Sequence, residues 1–452
     1  MNRIKIKMIC VIFGSIMISC DSFLDQKPQQ TFVIPESLSE LQALLDNSDQ
    51  VFNQTPGGFV FAADEFKITE QGFNAINLVA REFYSWDPEA FIAQENLGDW
   101  NRPYQQVFVA NLVLEGLERI PANQRNDEWN RIKGQALFCR GFAVFNLVQL
   151  FADPYSPSTA GNSFGLPYPT ASNINLRYDR ETLEITYRKL IDDLLQASDL
   201  LPTDTPILTR PSKAAAYLML AKSYLIISEF QLAEEFASKS YALKNDLLDY
   251  NELNPSAARP IPAFNVEQVY YCLQLSISQF SNQIHFDESF INSYDEDDLR
   301  KSIFFQLNPS TRLINFKGSY TGNLLSFGGL AVDETIFVLA EAKLRNGNHQ
   351  EASALVNHLL KFRFKDGEII PVDFQNESDA LKMLFEEKHK QLVFRGTRWT
   401  DLRRMMVEGR LTETLSKTVG ENVFTLIPRE PKWTYLIPFG EVSRNTIPQN
   451  PR

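Results

Sequence analysis

Cysteine and histidine are scarce in this sequence, and several of the short motifs that identify common enzyme classes are missing. The 452 residues include four cysteines and four histidines. No G-x-x-x-x-G-K-[ST] phosphate loop, no H-E-x-x-H and no C-x-x-C occurs, which argues against a P-loop nucleotide site, a zinc protease and a thioredoxin-like redox site. No two histidines stand three or four residues apart, so no metal site is predicted. We expect a protein without enzyme activity and without a cofactor.

An acidic cluster at Asp295, Asp297 and Asp298 is the nearest approach to a cation site. A calcium loop that began at Asp295 would need glycine at its sixth position and glutamate at its twelfth. Those positions hold Arg300 and Gln306. A solvated acidic turn is therefore the prediction, with calcium binding as the alternative.

The first nineteen residues have the form of an export signal. Three basic residues (Arg3, Lys5 and Lys7) precede an apolar run that ends at Ser19, and this run is too short to span a bilayer comfortably. Ile16-Met17-Ile18-Ser19-Cys20 places a cysteine after a small residue, as a bacterial lipoprotein cleavage site does. We expect lipidation at Cys20; an ordinary secretory signal is the alternative.

The balance of charge is acidic, with 56 Asp and Glu against 44 Lys and Arg. Removal of the signal would take away three basic residues and no acidic ones. Because affinity for nucleic acid comes largely from cationic contacts, no nucleic-acid partner is expected, and neutral ligands fit better. Cys139 and Cys272 lie among apolar neighbours and are interpreted as buried thiols, with a single disulfide as the alternative.

Helical periodicity dominates from Trp100 onward, and one spacing occurs twice. Large and small residues follow the offsets 0, 3, 4, 7, 16, 20 and 23 of a tetratricopeptide (TPR) helix pair, in which small residues let neighbouring helices approach closely. The first unit is Tyr217, Leu220, Ala221, Tyr224, Ala233, Ala237 and Ser240, and the second is Ile336, Leu339, Ala340, Lys343, Ala352, Val356 and Leu359. Lys343 stands where an aromatic residue is usual, and a generic helical hairpin is the alternative for either unit.

We predict an all-α fold in which TPR-like hairpins pack with a loop-rich insertion and minor short β-strands. Ser37 to Glu40 has the form of a capping box, so a first helix is expected there. The predicted organisation is a lipoprotein signal peptide at 1–19, a tether at 20–36 and a single domain at 37–452, with helix pairs at about 100–155, 182–244 and 333–362, the insertion at about 245–332, and C-terminal helices and loops at 377–452.

Aromatic residues make up 12% of the chain, and those in polar loops are hard to explain by helix packing. Exposed rings can stack on the apolar face of a sugar or on a peptide side chain. The candidate ligand-binding residues are therefore Tyr84, Trp86, Phe290, Tyr294, Tyr320 and Phe327.

Motifs along nearly all of the mature chain resemble the SusD/RagB family of outer-membrane nutrient-uptake lipoproteins. They are Cys20-Asp21-Ser22-Phe23-Leu24-Asp25 with Pro28; Trp100, Tyr104 and Asn111; Arg140-Gly141-Phe142; Lys213-Ala214-Ala215-Ala216; Asp298-Leu299-Arg300; Ala340-Glu341-Ala342; Gly396, Arg398 and Asp401-Leu402-Arg403-Arg404; and Ile437-Pro438 with Gln449-Asn450-Pro451. Glu387-Lys388, Gln391 and Arg395 depart from the family pattern on one helix.

The resemblance implies a surface lipoprotein of the outer membrane that captures an oligosaccharide and delivers it to a SusC-like TonB-dependent transporter. The family's ligand contacts vary, so none is carried over to this chain. An oligopeptide ligand is the first alternative. A membrane-anchored hydrolase and a scaffold that binds protein partners through its TPR-like grooves are the others.

Overall fold

A computed structural model of the protein describes residues 35–94, 96–275 and 281–452. The signal peptide, Cys20 and most of the tether lie outside these residues, so the signal and lipidation stay predictions. The described chain forms one unit from Ser37 to Arg452. Its secondary structure is mainly helical, and the strands are two to five residues long, which confirms the predicted fold class.

The long helices form a continuous stack. They are α5 (Gly98–Arg119), α6 (Asp127–Phe151), α7 (Leu183–Leu200), α8 (Lys213–Ile226), α9 (Phe230–Leu243), α12 (Val332–Arg345), α13 (His349–Lys361) and α14 (Glu377–Gln391). Each helix from α5 to α8 packs on its successor, α9 packs on α12, and α12 packs on both α13 and α14. The shorter helices are α1 (Leu38–Leu45), α2 (Gly58–Ala62), α3 (Glu70–Ala75), α4 (Leu78–Ser85), α10 (Glu288–Ile291), α11 (Arg300–Phe304), α15 (Arg398–Val407) and α16 (Phe439–Asn445).

Side-chain caps determine where several helices begin. Ser37 and Glu40 form the reciprocal capping box at α1, as the sequence predicted. Asn126 Oδ1 accepts the Trp129 N–H at the start of α6, at 3.1 Å. Thr182 Oγ1 accepts the Ile185 N–H at the start of α7, at 3.2 Å. Each cap satisfies a backbone N–H that has no partner within the helix.

The two TPR-like units are α8–α9 and α12–α13. Ala233 and Ala237 are fully buried, and Ser240 Oγ donates to the Ala214 carbonyl at 2.8 Å, so α8 and α9 approach closely. Lys343, the departure from the TPR pattern, contacts Glu234 at 3.0 Å and Glu351 at 2.6 Å. An ion-pair bridge across three helices therefore stands where TPR units place a ring.

Short strands lie in three parts of the chain: before α5, in the insertion between the two TPR-like units, and after α15 (Arg398–Val407). The strands are β1 (Gln54–Thr55), β2 (Lys67–Ile68), β3 (Gln268–Tyr270), β4 (Leu273–Gln274), β5 (Ile284–His285), β6 (Phe305–Leu307), β7 (Ile314–Phe316), β8 (Leu330–Ala331), β9 (Leu415–Val419) and β10 (Asn422–Leu426). They pair two by two: β1 with β4 in parallel, and β2 with β5, β3 with β8, β6 with β7 and β9 with β10 antiparallel. Segments before the first long helix thus pair with the insertion.

Some local structure differs from the sequence expectation. Residues 50–94, for which no helix pair was predicted, contain three short helices and two short strands. The tail after Gly409 contains the β9–β10 hairpin, which turns at Gly420 with φ +57°. Asp298, expected in a solvated turn, is 2% exposed, because it pairs with buried Arg300 at 2.6 Å.

No helix among the described residues is both long and apolar enough to cross a bilayer. Cys139 and Cys272 are buried and free, so the predicted thiols are confirmed.

Candidate functional site

Five of the six rings proposed from the sequence as exposed ligand contacts lie in the core. Tyr84, Trp86, Tyr294, Tyr320 and Phe327 are each 2% exposed or less, so the expectation of exposure was wrong for them. Trp86 Nε1 donates to the Ala62 carbonyl at 2.8 Å, and Tyr320 OH donates to Glu267 at 2.5 Å. Satisfied polar tips explain why Trp86 and Tyr320 can be buried, whereas Tyr84 lies within helix α4. A role for them in ligand binding stays a prediction.

Phe290 is the sixth ring, and it is only partly buried. It stacks on His389, with ring centroids 4.7 Å apart. Burial and the nearby Arg398 lower the pKa of His389 to about 3, so this imidazole is neutral at physiological pH. Phe290 lines an open groove of about 940 Å³ with Ser289, Ser293, Val372, Met383, Glu386, Glu387, His389 and Lys390.

Phe264 and Tyr271 form a more exposed aromatic pair, which was not among the candidates predicted from the sequence. The ring centroids lie 4.6 Å apart at an interplanar angle of 30°. Phe264 is 60% exposed, and its backbone has φ +52°. A bulky residue in this left-handed region is a conformational outlier, and such strain persists only where the surroundings hold it. We call this pair the aromatic platform.

Three contacts hold Tyr271 rigidly beneath Phe264. Its N–H donates to the Leu208 carbonyl at 2.7 Å, and its carbonyl accepts from Asn53 Nδ2 at 2.7 Å. The Phe327 ring supports it from the buried side, with centroids 5.9 Å apart. The platform is therefore a preorganised surface, which lowers the entropic cost of binding a ligand.

Apolar and polar groups flank the platform. The Leu324 side chain, 62% exposed, belongs to the turn whose Gly322 packs against Ala263. Burial raises the pKa of Tyr271, and the nearby Asp49 carboxylate adds to the rise. An exposed apolar face with a polar margin suits a ligand that has both apolar faces and hydroxyl groups.

Sequence offered a weak signal for this pair. Phe264 follows Pro260-Ile261-Pro262-Ala263 and precedes Asn265, so it lies in a stretch that cannot pack as a helix. Nothing in that pattern indicates a positive φ.

Hydrolase and metal chemistry were also tested against the structure. The pattern G-x-S-x-G occurs at Gly161–Gly165, but the residues around Ser163 are turns and an isolated bridge. A nucleophile elbow needs a strand before the serine and a helix after it, so this match does not have the required context. Across the described residues, no cluster of three or more His, Cys, Asp or Glu is arranged to hold a metal ion.

Comparison with known proteins shows similarity to SusD-like proteins. Residues 22–225 match a SusD-like family described as starch-binding and associating with the outer membrane. SusD-like protein P2 of Formosa agariphila is 23% identical over 371 residues, which cover 68% of this chain and 71% of that protein. Residues 22–225 of the chain are therefore similar to SusD-like proteins.

Solved SusD structures show the same fold. A SusD superfamily protein from Bacteroides thetaiotaomicron superposes with a TM-score of 0.73 at 21% identity, covering 92% of this chain and all of that one. A SusD superfamily protein from Bacteroides vulgatus superposes with a TM-score of 0.74 at 18% identity, covering 92% of this chain and 99% of that one. The aromatic platform lies beyond the matched SusD-like segment 22–225.

Proposed function

We propose that this SusD-like protein captures an oligosaccharide on the aromatic platform formed by Phe264 and Tyr271. The observation that carries the proposal is an exposed phenyl ring held in a strained backbone conformation. Two nearly parallel rings present an apolar surface that can stack on the C–H face of a sugar. The acidic net charge and the family's starch-binding description support a neutral saccharide as ligand.

Anchoring and delivery follow from the sequence motifs and the family. We infer that Cys20 carries the lipids that hold the protein at the outer surface of the outer membrane, since two or more acyl chains give a lasting anchor. We infer further that a SusC-like TonB-dependent transporter receives the ligand. The family's association with the outer membrane supports both inferences.

Substitution of the exposed ring tests the capture step. Phe264→Ala should weaken the affinity for the best-bound oligosaccharide of a glycan panel by about tenfold, or about 1.4 kcal/mol, because the stacking face is lost. Phe439→Ala is the matched control, since Phe439 is 59% exposed but lies in α16, outside the platform. Isothermal titration of both variants and of the wild type measures the difference.

The panel also separates the alternatives. Binding of oligopeptides, with no glycan bound, would replace the saccharide with a peptide ligand. Release of shortened products during incubation would indicate a hydrolase. Equal affinities of Phe264→Ala and the wild type for the bound glycan would remove the platform from the binding site.

A further inference from the structure

A cleft lined by charged residues lies next to Gly328 and Gly329, which follow the platform-supporting Phe327 in the sequence. The space that the centre of a water-sized molecule can occupy in it is about 60 Å³, and the cleft is partly open to solvent. Helices α6, α8, α12, α14 and α15 contribute to its wall, together with residues 328–330 and 395–397. Phe142 and Phe145 form the apolar side.

Cations outnumber anions on this wall. Lys222, Lys388, Arg395 and Arg404 line the cleft, against Glu334 and Asp401. Lys222 contacts Glu334 at 2.6 Å, and Lys388 contacts Asp401 at 2.8 Å. Arg404 pairs with Glu341 behind the wall. Both lysines and Arg404 are therefore paired with carboxylates, and Arg395 is the cation of the wall that remains to be considered.

Arg395 has only part of its guanidinium satisfied. Nη1 lies 3.2 Å from Asp333 Oδ2, an oxygen that also accepts from Gln391 Nε2 and lies 3.0 Å from the Tyr320 hydroxyl. The Tyr320 and Phe327 rings lie against the guanidinium, each centroid 4.6 Å from Cζ. Nε and Nη2 are covered and donate to no acceptor in the described part of the chain. The side chain is 6% exposed.

Other arginines of this chain show what the edge of the guanidinium formed by Nε and Nη2 normally binds. Arg140, Arg210 and Arg398 each direct Nε and Nη2 at one aspartate. The donor–acceptor distances for Arg398 and Asp64 are 2.7 and 2.9 Å. The Nε–Nη2 edge matches the two oxygens of a carboxylate, phosphate or sulfate. A buried guanidinium edge without an acceptor is costly.

The start of α15 adds positive potential to the same wall. Thr397, its N-cap, makes no side-chain cap bond. Within the described ranges, the N–H groups of residues 398–400 donate to no backbone or side-chain acceptor. The N-terminus of a helix carries a partial positive charge that favours anions. Thr397 and Thr400 line the cleft beside Arg395.

We propose that this cleft binds an oxyanion, a carboxylate or sulfate group, with Arg395 as its principal donor and the first turn of α15 as a second source of positive potential. We expect a small adjustment of the wall on binding, because the Nε–Nη2 edge is covered. The source of the oxyanion is either a free anion or the acidic substituent of a saccharide. The inference does not rest on saccharide capture at the platform.

Titration calorimetry of the full-length protein at low ionic strength tests the proposal. The probes are sodium sulfate, sodium acetate and sodium glucuronate, with glucose as the neutral match for glucuronate. The wild type should bind at least one of the three anions and not glucose. Arg395→Gln should weaken that binding at least tenfold, whereas Arg444→Gln, a control whose side chain is 69% exposed, should leave it unchanged.

A second variant, Thr397→Asp, tests anion binding even if Arg395→Gln does not fold. Thr397→Asp places a carboxylate at the N-terminus of α15, where the helix dipole favours negative charge, and it should repel an anion from the cleft. We expect an unchanged or raised melting temperature together with at least tenfold weaker anion binding. Phe264→Ala should retain anion binding, which separates this site from the platform.

The outcomes are distinguishable. Glucuronate bound at least tenfold more tightly than acetate identifies an acidic saccharide as the source, and similar affinities for acetate, sulfate and glucuronate identify a free anion. Failure of all three anions to bind would overturn the proposal. So would anion affinities in Thr397→Asp that equal those of the wild type.

Discussion

Replacement of Phe264 by glycine and by alanine should reverse the usual order of stability between these two residues. At most positions glycine is the less stable by about 0.5–1 kcal/mol, because it loses more conformational freedom on folding. Phe264 has φ +52°, where a residue with a Cβ atom is strained by about 1–2 kcal/mol and glycine is not. Both variants lose the same ring contact with Tyr271. Phe264→Gly should therefore exceed Phe264→Ala in free energy of unfolding by about 0.5–1 kcal/mol.

Urea unfolding of the two variants measures this difference, with the slope of the transition checked for equality. Ala354→Gly, on the exposed face of α13, is the control for the usual order and should lose about 1 kcal/mol relative to the wild type. Both Phe264 variants should lose saccharide affinity equally, because neither has the ring.

A lower stability for Phe264→Gly than for Phe264→Ala would refute the reasoning. It would mean that the backbone at this position is not held in the left-handed region, and that the exposed ring is not maintained against strain. The interpretation of the platform as a preorganised surface would then lose its main support.

Three further predictions concern buried polar groups. Tyr320→Phe removes a hydroxyl that contacts Glu267 at 2.5 Å and Asp333 at 3.0 Å; urea unfolding should show a loss of about 1–3 kcal/mol, and an unchanged stability would contradict the buried network. Asp298→Ala leaves fully buried Arg300 without its main partner and should cost about 3–5 kcal/mol, whereas Glu296→Ala, at a side chain 92% exposed, should change stability by less than about 0.5 kcal/mol. Burial raises the pKa of Glu65 to about 8. Because its folded pKa exceeds the unfolded value, Glu65 contributes stability below about pH 4.5 that is lost as the pH rises toward 8. The stability of the wild type relative to Glu65→Gln should therefore fall between pH 5 and 9, and a pH-independent difference would contradict the shift. Asp64, Arg398 and Lys417 act on Glu65 but are present in both proteins.

Helix packing could be predicted from the sequence because its signals are local. The spacing of Ala233, Ala237 and Ser240 reports directly how closely two helices approach, and these residues are buried as the spacing requires. Lys343 was the doubtful position, and the structure resolves it through two ion pairs. The ion pairs with a glutamate on each neighbouring helix replace the packing contacts that an aromatic ring would make. The spacing of residues within one helix pair does not identify either glutamate as the partner of Lys343.

Exposure of loop aromatics could not be predicted, because it depends on contacts between distant segments. Phe286, Phe316 and Phe394 pack on one another with centroid distances of 4.9 to 6.2 Å. The insertion has little regular secondary structure, so rings from its loops and from the region after α14 build its core. A polar neighbourhood in sequence therefore does not indicate a polar neighbourhood in space.

Substitution of Phe327 could weaken ligand binding even though the Phe327 side chain is buried and does not contact the ligand. It is 1% exposed, and its ring lies 5.9 Å from that of Tyr271 and 4.6 Å from the Arg395 guanidinium. Truncation of this ring would loosen the support of the platform and uncover one face of Arg395 together. Weakened binding after such a change would therefore report lost preorganisation, not a lost contact. Because Phe264 and Thr397 lie at the outer margins of the two proposed sites, substitutions there separate saccharide capture from oxyanion binding, which a substitution at Phe327 cannot do.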